Sequence, residues 1–204
     1  MLKEKLRLLK AAYAEQSVRW YSQFMCSWIK FRYPNIQLGT NICFYGKTIF
    51  RVDKTARVSI GDNVIFRSST AHNFAGITKP VSIYVGENAT LNIGANSGLS
   101  GASIYCSKEI VIGTYCNLGV NTNIWDTDFH PLDYELRRTQ IEGATQSPIR
   151  IGNDVFVGAN STLLKGITIG SRAIIGAASV VTKSVPCDQI WAGNPARCIR
   201  AVAV

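Results

Sequence analysis

A spacing of six residues governs the second half of the chain. From Ile151, steps of six land on Val157, Leu163, Ile169, Ile175 and Val181, all apolar. In a chain that is 47% apolar, six such hits in one chosen phase have a chance probability of about 1%. A second column strengthens the pattern. Four residues after each member come Val155, Ser161, Ile167, Ala173, Ser179 and Val185, none larger than Ile, and Gly follows Ile151, Val157, Ile169 and Ile175. An amphipathic helix repeats at 3.6 and a hairpin strand at 2, so neither generates this period.

The phrase apolar-x-apolar-Gly recurs upstream as Val58–Gly61, Ile83–Gly86, Leu91–Gly94 and Ile110–Gly113, then again as Ile149–Gly152 and Ile167–Gly170. Ile151 to Ile169 is 18 residues and Ile93 to Ile112 is 19. Three six-residue sides per coil make a triangular prism, with apolar residues inward, polar ones outward, and Gly, Asn or Asp at tight corners. Residues 38–185 are read as a parallel β-helix solenoid. At about 4.8 Å per coil, roughly seven coils span about 35 Å.

Two stretches break the register. After Ile124 it is lost, and it resumes at Ile149 behind Pro148, with Asp126, Asp128 and His130-Pro131 opening the gap. Long insertions in a registered repeat carry function more often than the repeat does. The second irregular stretch, Ser68 to Val81, contains His72, which has no motif around it. Residues 1–33 hold neither Gly nor Pro and are expected to be helical, in two segments, ended by Pro34-Asn35. Trp20, Phe24 and Trp28 recur there every four residues, beside Tyr21 and Met25. That stripe calls for a cover: the rest of the protein, a neighbouring subunit, or a membrane surface.

Charge narrows the partners. The net charge of +9 divides into +5 within residues 1–34, +3 from Arg172 onward, and only +1 between. This is no continuous stripe for nucleic acid. The six cysteines show no C-x-x-C pair, so neither a zinc ribbon nor a redox motif is indicated, and reduced thiols in a cytoplasmic protein are expected. No apolar run approaches the roughly 18 residues of a membrane span.

The stretch Ile110–Arg200 resembles the hexapeptide-repeat acyltransferases, in their galactoside/maltose O-acetyltransferase branch. The likeness rests on Asp126–Arg138 with its His130-Pro131, the Ile149–Val185 coils, Val181-Thr182-Lys183, and the closing phrase Ala192 to Arg200. It implies an all-β solenoid, a left-handed parallel β-helix with an N-terminal α-helical segment. The expected units are a helical segment at 1–34, a β-helix domain at 35–187 with an inserted loop at 126–148, and a coenzyme-binding tail at 188–204. The resemblance also implies acetyl-CoA as co-substrate, no metal, and a homotrimer with active sites between subunits. It makes His130 the catalytic base and the Ala159 main-chain N–H the oxyanion donor. Ala159 and Ala177 would line the pantetheine groove, with Thr182, Lys183, Arg197 and Arg200 binding the rest of the coenzyme. The family's acceptor-binding Asn has no match, because Leu99-Ser100 falls there.

The residues fit that chemistry. An alcohol attacks a thioester only if its proton leaves as it does so, and His suits that task near neutral pH. Asp126 and Asp128 lie four and two residues before His130; a carboxylate on the far ring nitrogen would fix the tautomer, and solvated loop acids are an equal reading. Six of the thirteen acids fall within 126–154, which suggests a polar acceptor. The expected function is acetyl transfer from acetyl-CoA to a sugar hydroxyl, free or in a surface-polysaccharide precursor, in a direct ternary complex. A non-catalytic β-helix scaffold and a non-sugar acceptor stand as alternatives. A γ-class carbonic anhydrase needs three His per zinc, and this chain has two.

Overall fold

The computed structural model describes residues 2–139 and 143–203. Three parallel sheets form the walls of a triangular prism. The first wall stacks Ile36–Leu38, Arg57–Ile60, Thr90–Ile93, Glu109–Ile112, Ile149–Ile151 and Thr168–Ile169. The second runs from Cys43–Tyr45 through Ile65–Arg67, Gly98–Ser100, Asn117–Leu118 and Phe156–Val157 to Ile174–Ile175. The third runs from Ile49–Val52 through Ser82–Val85, Ser103–Cys106, Asn123–Trp125 and Thr162–Leu164 to Val180–Val181. Instead of about seven coils there are six complete ones. A partial seventh follows: Val185 bridges Ile169, and Gln189–Gly193 pairs with Ile174–Ile175.

Stacking in register turns the sequence period into continuous core columns. Ile112 pairs with Ile93 on one side and with Ile151 on the other. Every member of the two six-residue columns is at most 2% exposed. Ser161 and Ser179 are the polar members, and both donate to the Gly176 carbonyl, at 3.0 and 2.7 Å. The corners explain the rest of the phrase. Asn41, Asn63, Asn96 and Asp154 turn the first wall into the second with φ near +60°, a conformation Asn and Asp tolerate best after Gly. The Gly that closes the phrase answers a different need. A Cβ on Gly61 would lie 2.6 Å from Ala95 N, and one on Gly152 would lie 2.6 Å from Ser171 N.

The N-terminal segment is one helix, α1 (Leu2–Arg32), not two; nothing in it breaks the backbone ladder. Its C-terminal half caps the open end of the prism, burying Met25, Ile29 and Tyr33 against Ile36, Phe44 and Phe50. Strands of the first coil have no earlier coil to bond, and such an edge must be covered. Ser22 Oγ accepts the Phe44 N–H at 2.9 Å, and the Tyr33 hydroxyl donates to the Phe50 carbonyl at 2.7 Å. Asn35 Nδ2 donates to the carbonyls of Asp53 and Ala56. The aromatic stripe divides. Trp28 packs edge-on against Tyr33 at 6.0 Å and Tyr21 packs on the core. Trp20 and Phe24 stay 62% and 63% exposed, and Phe31 87%, so of the expected covers the chain's own prism supplies only part.

Both irregular stretches are insertions at corners. The first, at 68–81, joins the second wall to the third in coil two, and the other, at 126–148, joins coil four to coil five. Residues 140–142 of the latter lie outside the described residues.

Candidate active site

An insertion leaving a registered solenoid must be tied at its root, or its ends fray. Asp126 supplies the tie. Its side chain is fully buried. One carboxylate oxygen accepts the Ser107 N–H at 2.7 Å, and the other accepts those of Lys108 and Glu109 at 2.7 and 2.9 Å. These donors form the same corner one coil earlier. Burial pushes the carboxyl above its ordinary range, against the downward pull of its three donors. Ser147 N–H closes the root by donating to the Asp126 carbonyl at 2.9 Å, and Thr127 bridges Gln146.

Beyond the root, Asp128 pairs with Lys165 at 2.7 Å, at the matching corner of the next coil. Phe129 follows with φ of +66°, costly for a bulky side chain. Its ring compensates by packing edge-on against Tyr105 at 4.7 Å and Trp125 at 5.6 Å. Tyr105 in turn stacks on Tyr84 at 4.2 Å. A cavity of about 380 Å³ opens here, lined by Tyr84, Glu87, Tyr105, Thr127, Phe129 and Gln146. His130 comes next, exposed. Pro131 and Leu132 lead into α2 (Tyr134–Thr139), where Asp133 Oδ1 accepts the Glu135 and Leu136 N–H groups at 2.8 and 3.1 Å.

The other expected site residues fall elsewhere on the prism. Ala159 and Ala177 sit one above the other at the corner between the second and third walls, where Ala178 N–H donates to the Ala159 carbonyl at 2.8 Å. Thr182 and Lys183 are exposed just past Val180–Val181, at the corner the insertion leaves from. Arg197 and Arg200 lie on the strand Ala196–Ala201, which folds back antiparallel on Gln189–Gly193 and extends the second wall. Within one chain, therefore, His130 and Ala159 stand at different corners of the triangle.

Neither Asp126 nor Asp128 hydrogen-bonds His130; the first serves backbone donors and the second serves Lys165. Lys165 and Phe129 were not singled out in the sequence. Lys165 has no motif, but a bulky residue directly before His-Pro was a readable signal. Asn73 and Asn121 were missed as well. Asn73 Nδ2 reaches Ser100 Oγ at 3.2 Å, and Asn121 ties the first insertion down through Gly76 and Thr78. A groove of about 770 Å³ between α1 and the first coil is lined by no histidine or carboxylate.

Residues 148–183 match the family model described as the hexapeptide repeat of succinyl-transferase. Over those residues the coils are hexapeptide repeats. The chain is 34% identical over 137 residues to the galactoside O-acetyltransferase of Escherichia coli K12, an alignment spanning 66% of this chain and 64% of that one. It thus spans less than two thirds of that relative's length. Among solved structures it resembles a hexapeptide-repeat acetyltransferase of Vibrio cholerae complexed with acetyl coenzyme A. That match has a TM-score of 0.52 and 33% identity, covering 56% of this chain and 61% of the other. It also resembles a galactoside acetyltransferase in complex with coenzyme A, with a TM-score of 0.56, 26% identity and coverages of 87% and 69%. The hexapeptide solenoid is accordingly a left-handed parallel β-helix.

Proposed function

We propose that the protein transfers an acetyl group from acetyl-CoA to a sugar hydroxyl, with His130 as general base. The observation that carries this reading is the root of the insertion. A fully buried carboxylate and a strained aromatic residue hold the loop immediately before an exposed His, in a solenoid similar to coenzyme A-bound acetyltransferases. The acceptor hydroxyl attacks the thioester carbonyl as His130 takes its proton. The Ala159 N–H stabilises the resulting oxyanion. Collapse breaks the C–S bond, and the imidazolium returns its proton to the departing thiolate. Lys183, Arg197 and Arg200 supply cations for the coenzyme phosphates.

His130 and Ala159 stand at different corners of one chain, so a neighbouring copy would have to bring a base to an oxyanion donor. This favours a homotrimer of the three-sided prism, with each site shared between two copies. A cytoplasmic location suits the use of acetyl-CoA. The polar cavity beside Phe129 suits a hydroxylated acceptor, free or as a polysaccharide precursor.

Coenzyme A release from acetyl-CoA, followed with a thiol reagent over a panel of sugars, tests the reading. The expected result is acceptor-dependent release that falls about 10²- to 10⁴-fold in His130→Ala. Release with no hydroxyl acceptor at all, or an unchanged rate in the variant, would sink it. Sedimentation equilibrium at three times the chain mass is expected, and a monomer that is fully active would exclude the shared site.

A further inference from the structure

The face of α1 that the solenoid does not use gathers five of the large exposed apolar side chains, Tyr13, Trp20, Phe24, Trp28 and Phe31. Ser22, Met25 and Ile29 face the prism. At about 100° per residue, Trp20, Phe24 and Phe31 fall within about 25° of the point diametrically opposite Ser22. Trp28 lies beside them, 39% exposed, and Tyr13, 74% exposed, continues the line toward the N-terminus. Because α1 caps the end of the prism, this face is the outer surface of one end of the molecule.

Charge is sorted about the same axis. Lys30 lies on one flank of the stripe, and Arg7 and Arg32 on the other, all exposed; Arg19, on the flank of Lys30, pairs with Glu15 at 2.9 Å. Glu4 and Glu15 fall on the side of Ser22, away from the stripe. An apolar strip rich in Trp and Phe, bordered on both sides by cations, is the pattern of a helix lying in a lipid headgroup layer. Long Arg and Lys side chains can reach phosphates while their stems lie along the apolar strip. A second copy fits the same face poorly. Stripe against stripe would bring these cations together, with Glu4 turned away and Glu15 already paired within its own helix. No helix among the described residues is long and apolar enough to cross a membrane, so the contact is one of surface.

From this geometry we propose that α1 docks the protein end-on against an anionic lipid bilayer, through Trp20, Phe24 and Phe31 with the flanking cations. The proposal stands on α1 alone and does not need the acetyl-transfer reading.

Flotation of the full chain with vesicles of phosphatidylcholine, with and without phosphatidylglycerol, tests it. The protein is expected to float with the mixed vesicles, to remain below with phosphatidylcholine alone, and to detach as salt rises. Trp20→Ser/Phe24→Ser/Phe31→Ser removes side chains that lie outside the buried core, so its thermal unfolding should stay close to the wild type while vesicle binding falls about tenfold or more. Lys30→Glu/Arg32→Glu should lose binding to the anionic vesicles with the stripe intact. Wild-type protein that floats with neither vesicle overturns the proposal. So does a triple variant that binds as well as the wild type. If instead the triple variant changes only the mass measured by light scattering, the stripe is an interface between copies and the lipid proposal falls.

Discussion

The two insertions each carry one of the chain's two histidines, yet they are built differently. The 68–81 insertion is held chiefly by neutral groups, with one cation, Lys79, donating its Nζ to Asn123 Oδ1. Ser68 Oγ accepts the Val81 N–H at 3.0 Å, and Asn121 accepts from Thr78 and donates to Gly76. Its His72 leans on Tyr45 at 5.3 Å, on a short 3₁₀ turn with no buried residue. The 126–148 insertion is held instead by a buried carboxylate, an ion pair and an aromatic residue in a left-handed conformation, all within four residues of His130. Hydroxyls, amides and one half-buried lysine are enough to order a loop. Burying a charge and straining a backbone to do the same job is costly, and such costs gather where one side chain must be held in a set position.

That contrast can be broken most directly at the histidines. His130→Ala is expected to lower turnover by about 10²- to 10⁴-fold, whereas His72→Ala should leave it within about twofold. Equal losses in steady-state assays would erase the distinction between the insertions. Next in size comes the buried carboxylate. Asp126→Ala orphans three backbone N–H groups at about 1–3 kcal/mol each, so chemical denaturation should show a loss of about 3 kcal/mol or more. Removing the Ser68 hydroxyl from the other clamp with Ser68→Ala should cost only about 1 kcal/mol.

Smaller effects sharpen the picture. Phe129→Gly relieves the positive φ but removes the ring packed on Tyr105 and Trp125. Stability should change by no more than about 1–2 kcal/mol, while turnover falls about tenfold because His130 loses its support. A drop in stability with unchanged turnover would make Phe129 a packing residue only. The pH dependence has a defined sign. The folded Asp126 carboxyl is raised, so the folded state binds its proton more tightly than the unfolded chain does. Its contribution to stability is full below the ordinary value of about 3.9 and is lost as pH rises through the folded one. Asp53, Asp62 and Asp188 are lowered, chiefly by hydrogen bonds from Thr55, Thr40 and Arg172, and work in the opposite direction. Subtracting the stability curve of Asp126→Asn from that of the wild type cancels those three. The difference should fall as pH rises from about 4, and a rising difference would reverse the assignment.

Much of the fold is legible because its information is local and repeated. Each six-residue phrase names its inward residue, its small corner residue and its Gly, and the structure buries the named columns throughout. The same locality sets the limit. The spacing of Asp126 and Asp128 from His130 suggests partners for an imidazole, but the nearest donors in space are 17 to 19 residues upstream, on the previous coil. In the same way, Trp20, Phe24 and Trp28 promise a buried face, while α1 turns Met25 and Ile29 inward. Both outcomes depend on which group of a neighbouring coil has an unmet hydrogen bond, and no pattern along the chain carries that.

By itself, then, the sequence determined the three-sided coil, its core, the corners, the helical N-terminus and the place of the His130 insertion. Each follows from side-chain size and polarity at fixed spacing. Only the tertiary structure decided that Asp126 serves backbone donors, that His130 and Ala159 stand at different corners, and that α1 caps one end with its aromatic face outward. Those depend on how coil stacks on coil, where residues far apart in sequence compete for the same hydrogen bonds and the same space.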